Sequence, residues 1–167
     1  MIRRIFILLT ILILNLKNLN AQKNDSTLFL PAGSEIKDIG LILGLHQFTY
    51  TFIEFGISET KSKGGCFWGS YFNGTSLSAE YNPFQNKTGL MFSVWTCAFT
   101  FITLGINANS YTDFDKYNLG VKPFIGIGPG EISLTYGYNF QIIDHKIPDL
   151  NKHCFSLRYH LPVRGRK

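Results

Sequence analysis

"YNLGVKPFIGIGPGEISLTYGYNFQI", residues 117–142, decides the fold. From Tyr117 to Ile127 every second residue is apolar, with Asn118, Gly120, Lys122 and Gly126 between them. Gly128-Pro129-Gly130 interrupts the run, and the alternation resumes with Ile132, Leu134, Tyr136, Tyr138, Phe140 and Ile142 against Ser133, Thr135, Gly137 and Asn139. A period of two on both sides of a Gly-Pro-Gly break predicts a β-hairpin. Which face meets water is a separate question. A soluble barrel keeps the apolar row inside, and a membrane barrel turns it out.

The rest of the chain repeats the pattern. Six further candidate strands are Ile39–His46, Tyr50–Glu59, Tyr71–Tyr81, Thr88–Ala98, Thr100–Ser110 and His153–Val163. No segment has helical periodicity, and the composition is rich in Gly, Thr, Tyr, Phe and Ile. The apolar stretch Leu90 to Ile106 is broken by Ser93, Thr96, Thr100, Thr103 and Gly105, so it is no membrane helix. A one-residue slip of phase between Phe48-Tyr50-Phe52 and Ile53-Phe55-Ile57 predicts a turn or bulge there. Pro123 lacks a ladder donor and predicts another. Most runs approach the ~9–11 residues that a tilted strand needs to cross a bilayer. Ordinary strands average ~5–6.

Composition of the two faces orients them. The polar face of strands two to eight is mostly Gly, Ser, Thr and Asn, and its only charges are Glu54, Glu80, Lys122 and Arg158. A soluble exterior would carry roughly 25–35% charged residues. A small-residue face with two carboxylates and two cations suits a narrow lumen instead. Those four residues are the candidate interior ion-pair network. A pore lining is the competing role, but an eight-stranded barrel is just wide enough for side chains to fill it. Aromatic residues gather away from the Gly-Pro-Gly turn, as an interfacial girdle requires.

The ends of the chain read differently. Arg3 and Arg4, the apolar run Ile5–Leu14 and Ala21 predict a secretory signal peptide over 1–21. Residues 22–38 read as a flexible lead-in, 39–163 as the barrel and 164–167 as a basic tail. The net charge of +5 shrinks without the signal, leaving 13 basic and 11 acidic residues. No basic surface remains to bind nucleic acid. Cys66, Cys97 and Cys154 are widely spaced, with no CxxC pair and no zinc-ligand spacing, so no cofactor is expected.

Catalytic candidates are sparse. Asp144 and His145 are adjacent in an expected loop, and His153 and Ser156 differ in strand parity, so they face opposite sides. His46 and His160 are expected near the rim opposite His153. None of these sets meets the geometry of a nucleophile, a base and its orienting group, so no catalytic residue is assigned. "GIGPGE" at 126–131 spaces glycines as a phosphate loop would, but no helix follows it.

Six stretches carry a resemblance: "FIEFGIS" (52–58), "GLMFSVW" (89–95), "LGINANSYTDFD" (104–115), "VKPFIGIG" (121–128), "YGYNFQI" (136–142) and "LNKHCFSLRY" (150–159). Through them the chain resembles the small outer-membrane β-barrel proteins of Gram-negative bacteria, and within these an uncharacterised group of exported barrels. The resemblance implies a closed antiparallel barrel and no activity. One departure is the end of the chain, where "HLPV" (160–163) precedes "RGRK" in place of a terminal aromatic residue. The expectation is an all-β, closed, antiparallel, up-and-down transmembrane β-barrel of about eight strands. It is a monomer in outer-membrane lipid, inserted by the outer-membrane assembly machinery, with a structural or surface-interaction role. The alternatives are a secreted lipocalin-like barrel around an apolar ligand and a lipid-modifying outer-membrane enzyme.

Overall fold

The computed structural model describes residues 35–63, 71–99, 101–128, 132–144 and 152–166. The expected signal peptide, most of the lead-in, Cys66, His145 and the Gly-Pro-Gly turn beyond Gly128 lie outside them. Nine strands are assigned: β1 Glu35–Gln47, β2 Thr51–Lys63, β3 Tyr71–Asn82, β4 Lys87–Ala98, β5 Ile102–Thr112, β6 Tyr117–Ile127, β7 Ile132–Tyr138, β8 Phe140–Asp144 and β9 His153–Arg166. Every pairing is antiparallel. Sequence neighbours pair around the sheet, β5 pairs with β6, and β9 returns to β1, so the sheet closes. β7 and β8 both lie along β6 and form one strand interrupted at Asn139. The architecture is a closed eight-stranded up-and-down barrel.

Its stagger follows from the register. Hydrogen-bonded partners lead from Lys37 through Lys61, Asn73, Thr96, Leu104, Ile125, Tyr136 and Phe155 back to β1 at Gln47. The path returns ten residues further along the strand (37 to 47). With neighbouring strands ~4.8 Å apart and a rise of ~3.3 Å per residue, that offset tilts the strands by about 40°.

The alternation places the polar row inside and the apolar row outside. Glu54, Ser58, Ser76, Ser78, Glu80, Ser93, Asn107, Lys122, Thr135 and Arg158 are buried. Phe55 is 59% exposed, Leu77 55%, Leu90 64% and Ile125 54%. The largest outward side chains are therefore hydrophobic, the reverse of a water-facing sheet.

Several boundaries move from their expected positions. β1 begins at Glu35, so 35–38 belong to the barrel and not to the lead-in. β2 continues to Lys63. Cross-strand ion pairs hold these polar ends, Lys37 to Glu59 at 2.8 Å and Lys63 to Glu35 at 3.2 Å. The expected basic tail is also strand: Arg164 and Arg166 pair in register with Ile39 and Lys37. Charge alone does not end a strand whose neighbour still offers backbone partners.

The expected turn between the first two strands falls at 48–50. The irregularity expected at Pro123 falls across from it. Pro123 stays in register with Ile106 of β5. On its other side the partner strand breaks at Asn139, whose N–H donates to the Lys152 carbonyl at 2.7 Å, one step past the Tyr138–His153 pair and away from β6. Proline has no N–H to give, so the mismatch is absorbed there.

Turns 48–50, 83–86 and 113–116 share one end of the barrel with the β8–β9 connection. The other connections and both ends of the sheet share the opposite end. The 113–116 turn is closed by the Asp113 carboxylate, which accepts from the Lys116 N–H at 2.7 Å. That bond holds the Asp113 carboxyl below the usual range. Asn82 Oδ1 does the same in the 83–86 turn, accepting from the N–H groups of Phe84 and Gln85.

Candidate functional site

The lumen contains one charged layer between two aromatic clusters. Its centre is Glu54 on β2. Glu54 Oε2 accepts from Arg158 Nε at 2.9 Å and lies 2.6 Å from His46 Nε2, while Oε1 accepts from Ser78 Oγ at 2.7 Å. Gly44 of β1 explains the ion pair. Gly44 is in register with Glu54 on one side and with Arg158 on the other. Having no side chain, it lets its two neighbours meet over its backbone. A Cβ at Gly44 would collide with the Glu54 carboxylate. Gly44→Val is therefore expected to cost about 1–3 kcal/mol as overpacking, read as a lower midpoint of unfolding.

Glu80 is directly opposite Glu54 on β3. Like charges in that position repel, and His46 is placed between them. Its Nε2 lies 2.6 Å from Glu54 and 3.4 Å from Glu80. Against these carboxylates Nε2 carries the proton and donates. Its Nδ1 meets Ser156 Oγ at 2.6 Å. Arg158 continues the layer, with Nη2 at 3.1 Å from Met91 Sδ and 3.3 Å from Ser93 Oγ.

Lys122 is fully buried but joins no carboxylate within ion-pair distance among the described residues. Its Nζ lies 3.6 Å from Cys154 Sγ and 5.2 Å from the centre of the Phe48 ring. Of the four residues expected to form the network, the structure joins Glu54 directly to Arg158. Glu80 touches the network through His46, and Lys122 stands beside it.

Aromatic residues cover the layer on both sides. Phe48, Phe52 and Tyr111 pack edge to face, with ring centres 5.4–5.8 Å apart. Phe72, Trp95, Cys97 and Phe124 form the other cluster. Arg158 lies 5.7 Å from the Phe124 ring, and His160 lies 4.9 Å from Trp95. Gly74 beside Trp95 repeats the device of Gly44, since any Cβ there would enter the indole. Two interior spaces among the described residues measure about 50 and about 10 Å³. A water molecule's share of liquid is about 30 Å³. These spaces hold no small-molecule ligand.

His46 is the residue that sequence reasoning missed, and its expected position needs correcting. It lies in the same half of the barrel as His153, because β1 ends at Gln47 opposite Phe155. His160 does lie in the other half. The signal was available: His46 follows Gly40, Ile42 and Gly44 on the inward row of β1. His153 points outward, with Nδ1 at 2.6 Å from the Tyr136 hydroxyl, while Ser156 is buried. His145 and the side chain of Asp144 lie outside the described residues.

Ser156, His46 and Glu54 form a hydroxyl–imidazole–carboxylate chain with the connectivity of a nucleophile relay. Its central groups are buried. Ser156 is 4% exposed and lines neither of the two interior spaces described above. The chain does set the His46 ring between two buried carboxylates, Glu54 and Glu80.

No protein-family model matches this chain, and no curated protein or solved structure matches it. The barrel and its interior therefore rest on the chain's own geometry.

Proposed function

We propose that this chain is an outer-membrane β-barrel with a structural or surface-interaction role and no catalysis. It is exported by a signal peptide over 1–21 and inserted as a monomer by the outer-membrane assembly machinery. The observation that carries this reading is the inverted sheet. The outer wall presents Phe55, Leu77, Leu90, Ile106 and Ile125, and the charges of Glu54, Glu80, Lys122 and Arg158 are inside. An exposed apolar surface that circles the whole barrel exceeds the few hundred Å² that soluble monomers usually show. Lipid is the solvent that stabilises it. Tyr81, Tyr117, Tyr136 and Phe140 face outward in the half bearing the 113–116 turn, where an aromatic girdle belongs.

In this reading the sheet ends at Glu35 and Arg166 face the periplasm, and the turns around Phe84 and Phe114 face outward from the cell. Both rings are exposed, at 62% and 70%. A soluble barrel around an apolar ligand needs an apolar lumen, and this lumen is charged and filled. Cell fractionation tests the proposal. The protein is expected in the outer-membrane fraction, extracted only by detergent, and faster-migrating on a denaturing gel before boiling than after. Recovery in aqueous buffer without detergent would refute it.

A further inference from the structure

The outer wall is not uniformly apolar. Toward the end bearing Glu35 and Arg166, a groove of about 570 Å³ crosses β2 to β5. Its floor is the backbone of β3 to β5 around Gly74, Trp95 and Gly105, whose side-chain positions face the lumen, and the outward residues Asn73, Thr75 and Thr96 beside it are small. One part of its lining is polar, with Glu59, Lys61, Asn73, Thr75 and Thr96. The part nearer the middle of the barrel is Val94 and Ile106. At a similar height on the far side, the wall is apolar, with Ile127, Ile132 and Val163 exposed.

The charge at the groove is unbalanced. Glu59 is bonded to Lys37, and Glu35 to Lys63. Lys61, exposed between those pairs, has no ion pair of its own among the described residues. The groove thus offers the Lys61 ammonium, the Glu59 carboxylate already paired with Lys37, and neutral hydrogen-bonding groups at the membrane boundary, with an apolar track running from them toward the membrane interior.

We propose that this groove holds one anionic glycerophospholipid of the periplasmic leaflet, its phosphate at Lys61 and an acyl chain along Val94 and Ile106. The proposal rests on the membrane reading above. Head-to-tail polarity fits it, because the polarity gradient of the groove runs along the barrel axis as a leaflet lipid does. A juxtamembrane lysine gains most from an anionic headgroup.

The test is native mass spectrometry of the full-length protein after equilibration with equal phosphatidylglycerol and phosphatidylcholine. One phosphatidylglycerol is expected to be retained preferentially. K61E is expected to lower its retention about fivefold or more, on the scale of one lysine at an anionic surface. T75W, which fills the groove without changing charge, is expected to abolish retention of both lipids. Heat-modifiable migration shows that each variant still forms the barrel. Equal retention by the wild type, K61E and T75W overturns the proposal. So does cross-linking between copies of T75C in membranes, which would make the groove a protein interface. A protein that stays integral but shows no lipid preference refutes the site alone. A protein soluble without detergent removes the membrane reading and the site with it.

Discussion

Arg158→Met is expected to lower stability by about 3–5 kcal/mol, the cost of leaving a buried charge without its partner. Arg158 is the cation bonded to Glu54 at 2.9 Å, and it is 3% exposed. After its removal Glu54 and Glu80 still face each other across β2 and β3, with only His46 between them. The methionine fills much of the arginine's volume, so lost packing is a small part of the effect. Urea unfolding of the protein in lipid vesicles measures the loss. Glu54→Gln alone is also expected to destabilise, because Arg158 is then the uncompensated charge. The double variant is expected to recover a coupling of about 0.5–3 kcal/mol relative to the sum of the single changes. Simple additivity would show that the two side chains do not act as a pair.

The same pair shows how far the sequence could be read. A period of two assigns each residue to a face, and the small uncharged residues opposite the apolar row identify the inner one. Glu54, Glu80, Lys122 and Arg158 could therefore be placed on the polar row from the alternation alone. Which of them touch depends on the ten-residue stagger, which no local pattern contains. Glu54 and Arg158 are 104 positions apart and meet only because β2 and β9 both flank Gly44. Lys122 is on the inward row too, yet it reaches Cys154 and Phe48 and not a carboxylate. His46 was overlooked for a local reason. The first strand has an apolar residue, Ile42, on its inward row, which blurs the contrast that marks the other strands. The strands run past their expected ends because Glu35, Lys37 and Lys63 look like loop residues. Only their cross-strand pairing makes them strand residues.

Leu77→Arg separates the two solvents that this exterior could face. Leu77 lies between Ile57 and Phe92 on the outer wall and is 55% exposed. In water, an arginine on such a surface is expected to change stability by no more than about 0.5 kcal/mol. Near the bilayer midplane the same change costs about 2–4 kcal/mol. Ile125→Arg, on the outer face of β6, should behave alike, since Ile125 sits among Leu104 and Tyr136. Leu119→Arg supplies the contrast. Leu119 is 37% exposed near the start of β6, toward the 113–116 turn, and its cost should fall to about 0–1 kcal/mol. The dependence on depth is the informative quantity. A defect in the sheet would penalise arginine at any strand position, whereas lipid penalises it by distance from the headgroups. Unfolding free energies of the three variants in lipid vesicles are expected to follow that order. Three equal, near-zero values would place this wall in water.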